Sequence, residues 1–188
     1  MLESAPMPLP VSEVERELTH TRRVRYEGYK RADGLWDIEA HLLDTKNHDY
    51  QLKTGVRRAG QPIHDMWLRI TIDHELTVLD AVASSDAVPY PGGCESIAPA
   101  YKRLIGLNLA RGFRKKTWEL LGSVRGCTHL TELLAGMPTA AIQTFAGERH
   151  EEQDDGSKPF QLDQCHALET TTETVKTWYP KWYKGKAA

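Results

Sequence analysis

The chain is 188 residues long, 40% hydrophobic and 27% charged, with a formal net charge of −2. That composition excludes a disordered chain, and the near-balance of charge gives no reason to expect nucleic acid or a membrane surface as a partner. Its three cysteines, Cys94, Cys127 and Cys165, are too few and too odd in number for a disulfide framework. They suit a reducing cytoplasm. No run of about 18 apolar residues is present, so no membrane span is expected. The first ten residues lack the basic region and long apolar stretch of a signal peptide. A cytoplasmic protein is the expectation.

Residues 1–19 hold Pro6, Pro8 and Pro10 and read as an extended arm. Ser12 is placed to cap a short helix there, and the arm could also strap onto a partner chain. Strands follow. Residues 22–30 carry Val24, Tyr26 and Tyr29, which suit a pleated surface, and Asp33-Gly34 is a hairpin signal. Residues 35–44 alternate, with Trp36, Ile38, Ala40 and Leu42 on one face and Asp37, Glu39 and His41 on the other. A solvated sheet face accounts for those acids and that histidine more simply than a metal or acid–base cluster does. Residues 45–62 read as a long polar connection of the kind that covers a site. Residues 63–73 alternate again, with His64, Met66, Leu68, Ile70 and Ile72 sharing a face, and residues 76–84 form a fourth strand. A histidine on an apolar face is usually a satisfied core residue. At a strand's start beside Asp65, His64 is equally well placed to be held in one tautomer.

The run Pro89-Tyr90-Pro91-Gly92-Gly93-Cys94 demands a specific turn. The spacing then predicts a helix over 97–109 with Pro99 in its first turn, and a second over 113–121 ending at Gly122. The basic run Arg114-Lys115-Lys116 is a solvated face. A third helix starts in Gly126-Cys127-Thr128-His129-Leu130. Gly126 turns the chain, Thr128 caps the helix, and Glu132 completes a capping box. Cys127 then lies at the positive end of the helix dipole, which favours a thiolate, and His129 follows two residues on. A buried cysteine beside a surface histidine accounts for that spacing too. Pro138 ends or kinks the helix. Residues 147–159 are acidic and read as a linker. The tail ends in Trp178-Tyr179-Pro180-Lys181-Trp182-Tyr183-Lys184. Such aromatics and lysines either stack on bases or dock on protein, and with no other basic feature docking is the better reading. The division is an arm (1–19), a core (20–146), and a linker with its tail (147–188).

Four strands followed by three helices predict an α+β domain: an antiparallel four-stranded meander with three helices packed on one face. Such a fold leaves room for one mostly apolar pocket.

Several stretches are shared with one family: Tyr26-Glu27-Gly28-Tyr29, Asp33-Gly34-Leu35-Trp36-Asp37, Ile63-His64-Asp65-Met66, Pro89-Tyr90 with Cys94, Leu104-Ile105-Gly106, and Gly126-Cys127-Thr128-His129-Leu130. In these the chain resembles a bacterial domain of unknown function over residues 19–146. Members of that family are similar to lyases that expel formaldehyde from lignin-derived aromatic dimers. The resemblance implies a lyase in aromatic catabolism.

Three functions fit these residues. GxGxxG, GxxxxGK and GxSxG are absent, so a nucleotide cofactor and the hydrolase elbow lack support. The first function, and the one expected, is a cofactor-free lyase of the retro-aldol type acting on a small aromatic molecule. It needs a base, a donor for developing negative charge and an apolar wall. His64 or His129 is the base, with Asp65 orienting His64. Tyr90, Arg69 or Tyr101 donates, and Trp36 or Trp67 forms the wall. The second is a zinc or iron site built from His64, Cys94, Cys127 and His129. The third is a non-enzymatic ligand- or partner-binding module. A homodimer through the arm or the tail is compatible with each.

Overall fold

The computed structural model describes residues 9–152 and 157–185. The first eight residues of the expected arm and residues 153–156 of the expected linker lie outside them. The chain divides into two compact units, residues 1–143 and 144–188.

In the first unit, β1 (His20–Lys30) and β2 (Trp36–Lys46) form the expected hairpin, with Gly34 in the left-handed region at φ 82°. The connection to the next long strand is not unstructured. It contains a small hairpin of β3 (Tyr50–Leu52) and β4 (Gly55–Arg57). Strands of three residues are too short to show a period in sequence. The long strands β5 (Pro62–Ile72) and β6 (Val78–Ala87) complete an antiparallel sheet in the order β1-β2-β5-β6. The α+β meander is therefore present as expected.

Side-chain parity assigns the two sheet faces. On the inner face, Trp36, Ile38, Ala40 and Leu42 meet Met66, Leu68, Ile70 and Ile72, all of them buried. Burying each large side chain contributes about 1.5–3 kcal/mol. The outer face is covered by its own side chains rather than simply solvated. His41 stacks on Trp67 at 3.9 Å and bonds Asp65 through Nε2 at 2.7 Å, and Thr71 Oγ1 donates to Asp37 at 2.6 Å.

A 3-10 segment, Glu95–Leu104, runs beside β6 where an α-helix over 97–109 was expected. Pro99 inside it has no N–H to donate, which leaves a gap in any helical ladder, and the segment is wound at three-residue spacing. Gly106 at φ 86° turns the chain back, and its N–H donates to Val78 O. The helix α1 (Phe113–Leu121) forms as expected. The third helix is split into α2 (Thr128–Leu134) and α3 (Met137–Glu152). The break falls at Gly136, not at Pro138, which sits in the first turn of α3 where a missing donor costs nothing. α3 also extends through residues 147–152, where a linker was expected. Residues 12–18 form no helix. The Ser12 hydroxyl donates to Val14 O instead, a local bond that competes with helix formation.

In the second unit, α4 (Glu173–Trp178) is capped by Thr172, whose Oγ1 accepts from Val175 N–H. Leu162 and Val175 are buried, while Trp178 is exposed. Among the described residues, no helix is long and apolar enough to cross a membrane.

Candidate functional site

The inward face of β2 ends on a carboxylate, and the inward face of β5 begins with an imidazole. Antiparallel register sets these two residues, Asp44 and His64, opposite one another. Asp44 is only 3% exposed, so its charge must be met by partners. Arg22, on β1 directly across from Asp44, supplies two of them. Its Nε donates to Oδ1 and its Nη2 to Oδ2, both at 2.8 Å, in the fork geometry that suits a carboxylate. His64 Nδ1 bonds Oδ2 at 3.0 Å, and His20 Nε2 bonds Oδ1 at 3.2 Å. Because a carboxylate only accepts, Nδ1 of His64 carries the proton and Nε2 keeps its lone pair.

His129 arrives from the helical layer. Gly126 is extended, at φ −150°, so it does not turn the chain as expected from the sequence. It is small for another reason: a Cβ there would lie 2.2 Å from the Leu121 carbonyl oxygen. Tyr101, fully buried, fixes the next residue, accepting from Cys127 N–H at 3.1 Å. Cys127 itself is the N-cap of α2, with Thr128 the first helical residue and no side chain capping. Glu132 forms no capping box either, because it reaches Arg22 Nη1 at 2.6 Å. Tyr26 OH donates to Leu133 O at 2.9 Å, tying α2 to β1. The result sets the His129 ring 3.8 Å from the His64 ring, tilted by 32°. His129 Nε2 lies 3.9 Å from Asp44 Oδ2, and its Nδ1 lies 3.9 Å from Cys127 Sγ.

These surroundings set the charges. Burial alone would raise the Asp44 carboxyl, but the hydrogen bonds and charge of Arg22, with the bond from His64, outweigh it and hold it below the ordinary range. Burial lowers His64 despite Asp44, and burial lowers His129, helped by repulsion from His64 and Arg22. Near neutral pH the site is therefore a fixed carboxylate beside two uncharged imidazoles. All three line an open cleft of about 340 Å³, which Lys46 also lines, with Tyr50 and Ile63 as its less polar residues.

Residues 20–143 match a family described as a protein of unknown function, DUF2889. The chain belongs to this family. No curated protein and no solved structure matches it. The DUF2889 match spans the whole cluster, from His20 to His129.

Of the site residues expected from sequence, the structure brings His64 and His129 together. Asp65 does not orient His64: it lies on the outer face and bonds His41, while Asp44 takes the expected role. Trp67 and Arg69 share that outer face, with Trp67 against His41 and Arg69 paired to Glu39, so neither can wall or serve a substrate held by His64. Trp36 is buried and opposite Ile72, eight residues along the strand from Asp44. At about 3.4 Å per residue that is the far end of the sheet. Tyr101 is a packed support for the Cys127 backbone rather than a substrate donor. Tyr90 is 58% exposed and does not line the cleft. The four-ligand Cys/His set is not assembled. Among the described residues, the ligand atoms that gather within 4.8 Å of one another are those of Asp44, His64 and His129, without Cys94 or Cys127. Asp44, Arg22 and His20 are the residues that sequence reasoning missed. One signal was available: Asp44 continues the apolar parity of Trp36, Ile38, Ala40 and Leu42, and a charge on an inward face needs a partner.

Proposed function

We propose that this chain is a small-molecule lyase of the retro-aldol type, whose reactive centre is Asp44, His64 and His129. The observation that carries the reading is the His64–Asp44 hydrogen bond, made to a buried carboxylate that Arg22 holds ionised. A fixed carboxylate on Nδ1 selects the tautomer with a basic Nε2, as a general base requires. His64 Nε2 takes the proton of a substrate hydroxyl. The carbon–carbon bond beside that hydroxyl breaks and an aldehyde leaves. The electron pair stays on the remaining carbon, which receives a proton from the His64–His129 pair, so no oxidant or cofactor is consumed. The resemblance to aromatic-dimer lyases supports an aromatic substrate, with Tyr50 and Ile63 as its wall in place of the tryptophans. The near-balanced charge supports small molecules over nucleic acid, and the sparse cysteines support a cytoplasmic setting.

The test is a screen of aromatic alcohols and dimers for released aldehyde, followed by His64→Ala and His129→Ala. Each substitution should cost roughly 100-fold or more in turnover, the usual contribution of a positioned acid or base, while circular dichroism stays unchanged. Full activity in both variants contradicts the assignment.

A further inference from the structure

The same three side chains that support proton transfer have a second capacity. Asp44 Oδ2 lies 3.0 Å from His64 Nδ1 and 3.9 Å from His129 Nε2, and one ligand atom from each of the three residues lies within 4.8 Å of the others. Ligands held at about 2.0–2.2 Å around a tetrahedral ion are separated by roughly 3.3–3.6 Å. The observed separations bracket that range, and small side-chain rotations close the difference. The carboxylate has lone pairs to spare. Arg22 Nε can stay on Oδ1 while Oδ2 turns to an ion. The two imidazole nitrogens are borderline donors and outnumber the one hard carboxylate oxygen, which suits zinc-type ions rather than magnesium or calcium. Cys127 Sγ stands behind His129 Nδ1 at 3.9 Å and serves as a neighbour of the ligand, not as a ligand.

We infer that Asp44 Oδ2, His64 Nδ1 and His129 Nε2 capture one divalent transition-metal ion, and that the captured ion turns proton transfer off. The inference rests on the reading of this cluster as the reactive centre. The ion takes the place of the proton that His64 Nδ1 shares with Asp44, and a proton is taken up at His64 Nε2 by exchange through solvent, so the ring stays neutral with no net proton released. A neutral imidazole bound to metal through Nδ1 carries its hydrogen on Nε2. The nitrogen that serves as the base then becomes a donor. Metal occupancy and general-base action exclude one another, so the cluster is a site of inhibition by zinc-type ions.

The experiment is a titration of the full chain with Co²⁺, prepared without a metal-binding tag and stripped with a chelator. Visible absorption reports nitrogen and oxygen ligation of the ion. One ion per chain is expected, with affinity at least tenfold weaker in His129→Ala and in His64→Ala and unchanged in Cys94→Ser. Circular dichroism of each variant separates lost ligands from lost fold. No binding, or binding unchanged in both histidine variants, overturns the site. Zn²⁺ at one equivalent should then abolish aldehyde release by the stripped protein, and a chelator should restore it. Turnover that survives or rises with Zn²⁺ bound overturns the exclusion. A stripped protein with no turnover on any substrate counts against the lyase reading alone, because the Co²⁺ titration needs no activity.

Discussion

Replacing Asp44 with asparagine keeps its volume and removes the charge that four donors approach. Arg22 would keep a neutral acceptor at best, on a site where Asp44 is 3% exposed. Breaking a buried ion pair costs about 3–5 kcal/mol, and the partial exposure of Arg22 reduces this to about 2 kcal/mol. Urea unfolding of Asp44→Asn should show that loss, and a midpoint equal to wild type contradicts the role given to the pair. The histidines were readable as chemistry-bearing residues because their types and neighbours are local. The residue that orients His64 was not, because Asp44 lies twenty positions away and meets it only through strand register. Asp65 was the closer residue in sequence, and the two-residue period of the strand sends it to the opposite face.

At the scale of elements, the cluster depends on how α2 is seated. Gly126→Ala would drive a Cβ to 2.2 Å from a backbone oxygen, where no side chain can swing away. Gly136→Ala would meet the Tyr26 ring and hydroxyl at 2.5 Å and push on the bond that ties Leu133 to β1. Each should destabilise by about 1–3 kcal/mol, the usual cost of overpacking. Each should also lower turnover although neither residue lines the cleft, because His129 rides on α2. Wild-type stability and turnover in both variants would contradict this seating. The long strands were legible because alternation over ten or more residues is a strong signal. The 3-10 segment was not, since a local run containing Pro99 satisfies helical spacing without showing which hydrogen bonds survive. The β3–β4 hairpin also hid the register of β2 against β5, because no tight turn joins those two strands.

The whole molecule records the cluster in its response to pH. Burial holds His64 and His129 below the ordinary histidine value of 6.5. Between the lowered values and 6.5 the folded chain binds fewer protons than the unfolded chain, so stability rises with pH across that window and levels off above it. Asp44 is held below its ordinary 3.8, so its contribution is present above that value and is lost as pH falls through the folded value. The urea midpoint, followed downward from neutral pH, should therefore fall first just below the histidine value and again in stronger acid. Replacing both histidines should flatten the first fall, and an unchanged slope contradicts their burial as neutral groups. The α+β class was legible as a whole, because strand-period and helix-period stretches occupy separate halves of the first unit. The site was legible only in part, because it is assembled from β1, β2, β5 and α2 by tertiary packing. The most direct measurement is aldehyde release from aromatic alcohols by metal-stripped wild-type protein and by His64→Ala of equal fold. Release by wild type with a loss of about 100-fold or more in the variant is the predicted result. Equal release by both contradicts the account.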